Sequence, residues 1–597
     1  MPHCAPSRPT RSLRSRSTKR RARATIRPRR PASTKKWQAN KRIGTVLHLN
    51  RIAAATLLAL SSFAAVAQAP ATPGAPVAAG APARAYDLDA DVARVMQTFD
   101  VPGMAIAIVK DGKVVATRGF GVRKLGEPAP VDGKTIFEVA SNSKAFTAAA
   151  LAMLVDDGKL EWDDKVIKHL PDFQMYDAYV TREMTVRDLL VHRSGLGLGA
   201  GDLLWWPTTS FTTDEIIQQL RYVRPATSFR NSYAYDNLLY IVAGKIIAQK
   251  AGKPWGDAVR ERILTPLGMN TTTTSLAENA GNPNVSAPHS KINGKIAAVR
   301  ALPVPNAVGA VGINTSAEDI ARWMTVLLDG GAIAAAPKDA QGNPARLFSE
   351  AQSREMWTAQ TPMKISEPKP TLAATRPNFF AYGLGFQLRD YKGRKLALHG
   401  GALQGFYSRV VMVPEAKLGI AILTNAESGG AMTSLQYRLL DHYLDDSLNP
   451  APSDWITLIG DVETDMRNKD LARQKTASAT RAAASRPSLP LAAYDGEYHD
   501  AWYGAVTIKP AGGKRVMSFT RTPDLTGELE HFQHDTFIVR WKERNFNADA
   551  YVTFSLNPDG SIERVKMAPV SSETDFSYDF ADLLFTPAKK KDTKDAK

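Results

Sequence analysis

Cysteine is almost absent from this chain of 597 residues, which contains only Cys4. Beyond that residue the sequence excludes a disulfide framework, a thiolate nucleophile and a zinc site with cysteine ligands. No His-Glu-x-x-His motif occurs, so a zinc hydrolase is unsupported, and we predict neither a metal nor a cofactor. At about 150 residues per domain, the length predicts two to four domains.

Acidic residues are missing from residues 1–51, which carry 16 Lys and Arg. These positive charges account for nearly all of the net charge of +17, so the rest of the chain is almost neutral and we predict no nucleic-acid partner. Methionine is absent between Met1 and Met96. We therefore expect a true start at a non-Met codon near Val46 or Leu47; the alternative is a disordered basic extension.

An apolar run covers residues 52–69 and ends in small residues, a pattern typical of a secretory signal peptide. A transmembrane anchor and a buried helix are the alternatives. Polar residues interrupt the run, and a Pro/Ala/Gly-rich linker follows over residues 70–86, which favours export. The sequence thus predicts a periplasmic or secreted protein that meets the membrane only during export. No Cys follows the run, so a lipid anchor is not predicted.

Strand patterns stand at both ends of residues 87–450, with helical patterns between them. Early strands are expected over 104–109 and 114–118, and late strands over 395–399, 408–413 and 418–424. Helices are expected over 212–222 and 238–249, and a further helix is expected to open at a Thr315-x-x-Glu318 capping box. This order predicts an α/β (α+β) fold, in which one sheet is assembled from distant segments and carries a helical lobe.

The pattern changes after residue 450. Residues 451–490 are charged and rich in Ala and Ser, which predicts a helical connector. Residues 491–588 alternate short strands with Gly-containing turns, which predicts a separate small all-β domain, followed by a charged tail over 589–597.

Ser141 and Lys144 lie three residues apart at the start of an apolar helix expected to reach Val155, so they share one helix face. Ser141 is alternatively a simple N-cap, but a capping box favours Glu or Gln at position 144, and a Lys in the first turn opposes the helix dipole. A Lys partly buried beside a Ser can lose its proton and act as its base. The pair alone occurs often by chance, so it needs support from other motifs.

Two other segments give that support. Tyr235-Asp236-Asn237 stands at a helix start, where Asp236 or Asn237 is alternatively only an N-cap. Residues 399–402, His-Gly-Gly-Ala, follow a strand; the alternative is a turn with a surface His. Paired glycines there would let a ligand's backbone approach a sheet edge closely.

In order and spacing these three motifs resemble the active site of class C β-lactamase-like serine hydrolases, which include carboxylesterases, D-aminopeptidases and DD-peptidases. The resemblance covers about residues 87–446, with supporting stretches at 185–196, 382–386 and 405–406. The region from residue 494 resembles a small β domain often appended to such enzymes. The resemblance implies an antiparallel sheet flanked by helices and an acyl-enzyme mechanism on a small ester, amide or peptide substrate; the oligomeric state stays open.

The resemblance also implies roles for individual residues. Ser141 would be the nucleophile, Lys144 its base, and Tyr235 would share proton transfer to the leaving group. Asn237 would contact Lys144 and the substrate. The substrate strand would consist of His399, Gly400, Gly401 and Ala402, with the backbone N–H groups of Ser141 and Ala402 as the oxyanion hole.

The chain departs from the β-lactamases at His399, where they carry a Lys that helps to hold the substrate carboxylate. An ordinary His is mostly neutral near pH 7, so we expect esters or uncharged D-amino-acid amides to be better substrates than β-lactams. We also expect any β-lactam turnover to rise as His399 becomes protonated. A class C-type β-lactamase, a DD-peptidase and an inert penicillin-binding or sensor module are the alternatives.

Other patterns offer weaker interpretations. Residues 426–430, Ala-Glu-Ser-Gly-Gly, nearly match a nucleophile elbow around Ser428, but Ala replaces the first Gly. Residues 195–200 approximate a dinucleotide fingerprint and are better explained as a rim loop. His192 is expected to shape the loop near the site, and the remaining histidines after the leader to have surface or structural roles.

Overall fold

An eight-stranded antiparallel sheet organises the first part of the molecule, in the order β2-β1-β12-β11-β10-β9-β8-β7. The computed structural model describes residues 86–334, 336–444, 453–482 and 484–588. The predicted leader, signal peptide, most of the linker and the charged tail lie outside these residues. The strands are β1 Gly103–Lys110, β2 Lys113–Gly121, β3 Phe137–Glu138, β4 His289–Ile292, β5 Lys295–Ala298, β6 Asn314–Thr315, β7 Thr361–Pro362, β8 Phe380–Tyr382, β9 Gln387–Tyr391, β10 Arg394–Leu403, β11 Phe406–Val413 and β12 Leu418–Thr424.

Helices cover both faces of this sheet, because alternate residues of its central strands are apolar on both sides. One face packs against the helical lobe and the other against helices near the two ends of the hydrolase segment. The helices are α1 Leu88–Phe99, α2 Ser143–Asp156, α3 Val166–His169, α4 Ala178–Glu183, α5 Val186–Leu190, α6 Thr213–Gln219, α7 Leu238–Ala251, α8 Trp255–Val259, α9 Thr265–Leu267, α10 Val308–Val311, α11 Ala317–Leu328, α12 Glu350–Met356 and α13 Gly429–Leu444.

Two of three turn and helix-cap motifs are those that the sequence predicts. Asp111 and Gly112 both adopt positive φ in the tight turn between β1 and β2, as the Asp-Gly pair predicts. Thr212 and Glu215 form the predicted capping box of α6. The predicted box at Thr315 is wrong: Thr315 pairs with Phe137 in a short ladder, and Ser316 caps α11 one residue later.

A second sheet forms the C-terminal part, after the long helix α14 Trp455–Ala479. Its order is β19-β18-β17-β16-β15-β14-β13-β20, and a bridge between Val565 and Phe585 joins its two ends into a near-barrel. The interior is rich in aromatic side chains. The strands are β13 Gly496–Asp500, β14 Gly504–Ala511, β15 Lys514–Phe519, β16 Thr522–Gln533, β17 Thr536–Trp541, β18 Ala550–Leu556, β19 Ile562–Pro569 and β20 Thr586–Pro587.

Polar contacts join the β domain to the hydrolase part. Arg521, next to β16, donates to both carboxylate oxygens of Glu215 at 2.9 Å. Asp470 of α14 accepts hydrogen bonds from Ser571 and Ser572, which precede the last strand. The predicted α+β fold with its antiparallel sheet and separate all-β domain is confirmed. Within the described ranges, no helix is long and apolar enough to cross a membrane.

Candidate active site

The segment that carries Ser141 lies directly against β10 and β11. A Cβ atom at Gly401 would stand 2.0 Å from the carbonyl oxygen of Val139, so only glycine lets the two backbones approach this closely. Ser408 of β11 donates to that same carbonyl at 2.9 Å and accepts from Asn142 at 2.8 Å. These contacts fix the backbone on both sides of Ser141 against the sheet.

Ser141 is not the cap of helix α2. It lies in a 3-10 turn, Ala140–Asn142, and makes no side-chain capping bond. Ala140, just before it, adopts φ 49°, an uncommon conformation for a residue with a side chain. The Ser141 hydroxyl therefore points into a cavity instead of satisfying the helix N-terminus.

Lys144 lies one turn further along and is fully buried. Its Nζ atom is 3.0 Å from the Ser141 hydroxyl, 2.7 Å from Asn237 Oδ1 and 3.3 Å from the carbonyl oxygen of Ala310. Burial lowers the pKa of Lys144 to about 7, although nearby carboxylates act in the opposite direction. The two carbonyl oxygens can accept two amine hydrogens, which leaves the lone pair of a neutral amine for the serine proton.

The three residues of the Tyr235-Asp236-Asn237 motif make different contacts at the start of α7. Asp236 accepts from the Leu239 backbone at 3.2 Å, whereas Asn237, at the N-cap position of α7, makes no side-chain capping bond and faces Lys144. The Tyr235 ring lies 4.9 Å from the Lys144 amine. Burial raises the pKa of Tyr235 well above 10, against a hydrogen bond with Ser141 that lowers it, so this side chain is a neutral phenol.

His399 is held as a neutral imidazole. Tyr382 donates its hydroxyl to Nε2 at 2.8 Å, and Nδ1 donates to the carbonyl oxygen of Gly400 at 2.6 Å. Burial lowers the pKa of His399 to about 3, and the nearby Lys144 acts in the same direction. His399 is therefore neutral near pH 7, as the sequence predicts. A pKa of about 3 lies too low for the expected rise of β-lactam turnover on protonation of His399, because both ring nitrogens are engaged and the side chain is buried.

The other predicted residues of the substrate strand lie at an open edge of the sheet. The pairing of β9 with β10 ends at Leu398, so residues 399–403 have no neighbouring strand on that side within the part of the chain that the structure describes. Ala402 is exposed at this edge, and Gly400, Gly401 and Ala402 line the same cavity as Ser141. A backbone N–H at such an edge is available to a ligand. The structure thus brings together all the residues that the motifs predicted.

Sequence reasoning missed Asp202, a fully buried carboxylate behind Asn237. It accepts hydrogen bonds at 2.8 Å from Asn237 Nδ2, from Trp205 Nε1 and from the hydroxyl of Ser577. Burial raises the pKa of Asp202 to about 7, while its hydrogen bonds and Lys144 act to lower it. Asp202 stands in the glycine-rich loop at 195–204 and Ser577 in the β domain, and neither belongs to a motif.

The cavity in front of Ser141 has a volume of about 650 Å³, and both parts of the molecule line it. Arg409, opposite Gly400 on β11, reaches its wall and has no carboxylate partner within 4.0 Å in the described chain. Among the described residues its guanidinium donates only to Gln436, at 3.1 Å, and Nε has no hydrogen-bond partner there. The acids Glu427 and Asp575 line the same space, and neither has an ion pair among the described residues.

The weaker sequence interpretations find structural explanations. Ser428 accepts from the Ala431 backbone at 3.2 Å and so caps α13, which accounts for the near match to a nucleophile elbow.

Leu198 lines the cavity, in agreement with a rim loop at 195–200. His192 is buried and accepts from the Asp236 backbone at 3.2 Å, as a loop-shaping residue would. Nowhere in the described chain do three or more His, Cys, Asp or Glu residues form a metal-binding group.

Comparison with known proteins agrees with this geometry. Residues 88–444 match the family described as Beta-lactamase, and residues 480–587 match a domain of unknown function designated DUF3471. A protein named unguisins hydrolase ungD', from Aspergillus campestris, is 30% identical over 501 residues, which cover 80% of this chain and 89% of that protein.

Two other proteins extend the comparison. Penicillin-binding protein 4 of Amycolatopsis lactamdurans is 29% identical over 346 residues, which cover 56% of this chain and 82% of that protein. An octameric penicillin-binding protein homologue from Pyrococcus abyssi, at 21% identity and a TM-score of 0.51, shares the fold over 83% of this chain and 98% of that chain. The chain belongs to the β-lactamase family of serine hydrolases.

Proposed function

We propose that this protein is an exported serine hydrolase that forms an acyl-enzyme on Ser141 and acts on carboxylic esters or on D-amino-acid amides and peptides. The observation that carries the proposal is the arrangement of the Lys144 amine. Two carbonyl oxygens accept from it, Ser141 lies 3.0 Å away, and its pKa of about 7 makes a neutral amine abundant at physiological pH.

In the proposed reaction, neutral Lys144 takes the Ser141 proton while Oγ attacks the substrate carbonyl carbon. The oxyanion forms beside the backbone N–H groups of Ser141 and Ala402. As the tetrahedral intermediate collapses, the bond to the leaving group breaks, the phenol of Tyr235 gives that group a proton, and Lys144 restores the phenol. Water then attacks the acyl-enzyme with the same proton carriers, which releases the acid and free Ser141.

The neutral His399 supports ester and amide substrates over β-lactams, because no permanent cation stands at its position. Arg409 favours a second candidate, a β-lactamase or DD-peptidase acting on carboxylate-bearing substrates. An unpaired guanidinium in the wall of the cavity is a suitable partner for a carboxylate. The relative named penicillin-binding protein 4 supports the same candidate.

Export to the periplasm or beyond the cell is part of the proposal and is supported by the apolar run at residues 52–69. The mature protein is expected to begin close to Gln68 or Pro70. Mass spectrometry of the protein recovered outside the cytoplasm tests this, and a mature exported form that still contains residues 1–45 contradicts it.

The substrate class is tested by measuring kcat/KM near neutral pH for a p-nitrophenyl ester, a D-amino-acid p-nitroanilide and a chromogenic cephalosporin. The proposal predicts that the ester or the D-amino-acid amide is cleaved fastest. A cephalosporin cleaved as fast or faster selects the second candidate. Absence of turnover together with absence of covalent labelling by a fluorophosphonate selects an inert binding module.

A further inference from the structure

One short segment of the β domain, residues 575–579, contacts Tyr235 and the loop that contains Asp202, and it is referred to below as the Ser577 segment. The hydroxyl of Ser577 donates to Asp202 at 2.8 Å, and Asp579 accepts from the backbone of Gly201 at 2.7 Å. Phe576 packs edge-on against the Tyr235 ring, with 5.9 Å between the ring centroids. Three of its five residues therefore hold either the Tyr235 ring or the loop that contains Asp202.

Asp202 is in turn the polar contact that orients the Asn237 side chain. Oδ2 of Asp202 accepts from Asn237 Nδ2 at 2.8 Å, and the amide oxygen on the other side accepts from Lys144 at 2.7 Å. A carboxylate can only accept, so it selects the amide orientation that presents oxygen to the amine. A flipped amide would place its own N–H groups against those of Lys144 and leave buried donors unsatisfied.

We propose that the β domain is part of the catalytic apparatus: Ser577 holds Asp202 as a positioning residue that orients Asn237 and sets the protonation of Lys144. The inference rests on the proposed role of Lys144 as the base. It gives the C-terminal domain a task in the reaction beyond packing against the hydrolase part.

Electrostatics supports the same chain of contacts. The hydrogen bond from Ser577 lowers the pKa of Asp202, against burial that raises it, and the negative charge on Asp202 raises the pKa of Lys144. The Ser577 hydroxyl thereby favours the protonated form of Lys144 and offsets part of the lowering of its pKa by burial. Among the described residues, the other ionisable groups that face Lys144 or Asp202 are Asp236, His192, His399, Tyr235 and Tyr240 around the amine, and Asp579 beside the carboxylate.

The test compares Ser577→Ala with Thr574→Ala, a control in the same loop whose hydroxyl bonds the Asn547 carbonyl at 3.1 Å, away from Asp202. The measurement is kcat/KM for a neutral p-nitrophenyl ester from about pH 5 to pH 9, because its acid limb reports the free-enzyme pKa of the base. For Ser577→Ala we expect the acid limb to move to lower pH and the plateau to fall about three- to tenfold. Thr574→Ala should leave both unchanged.

If the role of Ser577 is purely structural, Ser577→Ala lowers the melting temperature and leaves the acid limb where it is. That result overturns the inference. Ser577→Cys, nearly isosteric with a weaker donor, should give a smaller shift in the same direction and serves if the Ala variant does not fold. Asp202→Asn should lose about ten- to a hundredfold in kcat/KM, because an amide N–H then faces buried donors. An Asn variant with an unchanged profile would also contradict the role of Asp202.

Labelling by a fluorophosphonate separates this inference from the proposed function. If Ser141 is the nucleophile, the Ser577→Ala protein still labels at Ser141, with a shifted pH dependence. If wild-type labelling persists in Ser141→Ala, the proposed function itself fails, whatever Ser577→Ala does.

Discussion

The two ends of the cavity differ in how their polar groups are satisfied. At the Ser141 end, the Lys144 amine contacts three oxygens and the Asn237 amide is bonded on both sides. The part of the wall around Arg409 is referred to below as the far end, and there the guanidinium has no ion-pair partner among the described residues. A charge away from bulk water is costly unless it is paired. The polar groups named at the Ser141 end are hydrogen-bonded within the protein. The guanidinium at the far end lacks a carboxylate partner, which a charged substrate could supply.

We therefore expect the Ser141 end to carry out the reaction and the far end to bind charged groups of the substrate. Changes at the Ser141 end should lower kcat, because those groups act on the reacting atoms, and changes at the far end should mainly raise KM for charged substrates. Four substitutions test whether the two ends separate in this way.

Ser141→Ala should abolish turnover, with a loss of several orders of magnitude, because it removes the nucleophile and little volume. The matched control is Ser428→Ala, which removes a helix cap and is expected to cost about 1 kcal/mol of stability but no chemistry. Ester hydrolysis by the two purified variants is the measurement. Loss of activity in the Ser428 variant alone would show that the nucleophile has been misassigned.

Lys144→Arg should be nearly inactive although it keeps a positive charge, because a guanidinium does not lose its proton. In the wild-type protein, the folded-state pKa of about 7 predicts that kcat/KM for an ester falls as the pH drops below about 7 and the amine becomes protonated. An active Arg variant, or a profile flat down to about pH 5, would remove Lys144 from the mechanism.

Arg409→Gln should raise KM about tenfold for a carboxylate-bearing substrate, because it removes a charge-assisted contact. A neutral ester should be affected much less, so the ratio of the two changes is the result that matters. Equal losses for both substrates would mean that Arg409 only supports the fold, and the contrast between the two ends would fail.

Asp470→Asn should have the smallest effect, because neither Asp470 nor its partners Ser571 and Ser572 line the cavity. Burial acts to raise the pKa of Asp470, but hydrogen bonds from Ser572 and Ser571 lower it overall. The carboxylate thus contributes stability above its unfolded pKa, and that contribution is lost as the pH falls toward its folded pKa. We expect the Asn variant to melt about 1–3 °C lower at neutral pH with kcat unchanged; a large loss of activity would show that this contact is coupled to the site.

Most of the Ser141 end could be predicted from sequence because its residues lie in short motifs at fixed places in helices and strands. Lys144 follows Ser141 by one helical turn, and the glycine at 401 is required by a close backbone approach. The neutral state of His399 near pH 7 agrees with the prediction, but the lowering of its pKa to about 3 could not be predicted, since the burial of the ring and the donor from Tyr382 arise only in the folded chain. The contact between Asp202 and Ser577 spans 375 residues, and no local pattern marks either residue.

Peptide mapping after labelling with a fluorophosphonate shows whether Ser141 forms the covalent bond. If Ser141 is the nucleophile, we expect one modified peptide, labelled at Ser141, with a labelling rate that falls below about pH 7 as Lys144 becomes protonated. Label at Ser428 or at another residue, or no label on an enzyme that still hydrolyses esters, would contradict this role of Ser141.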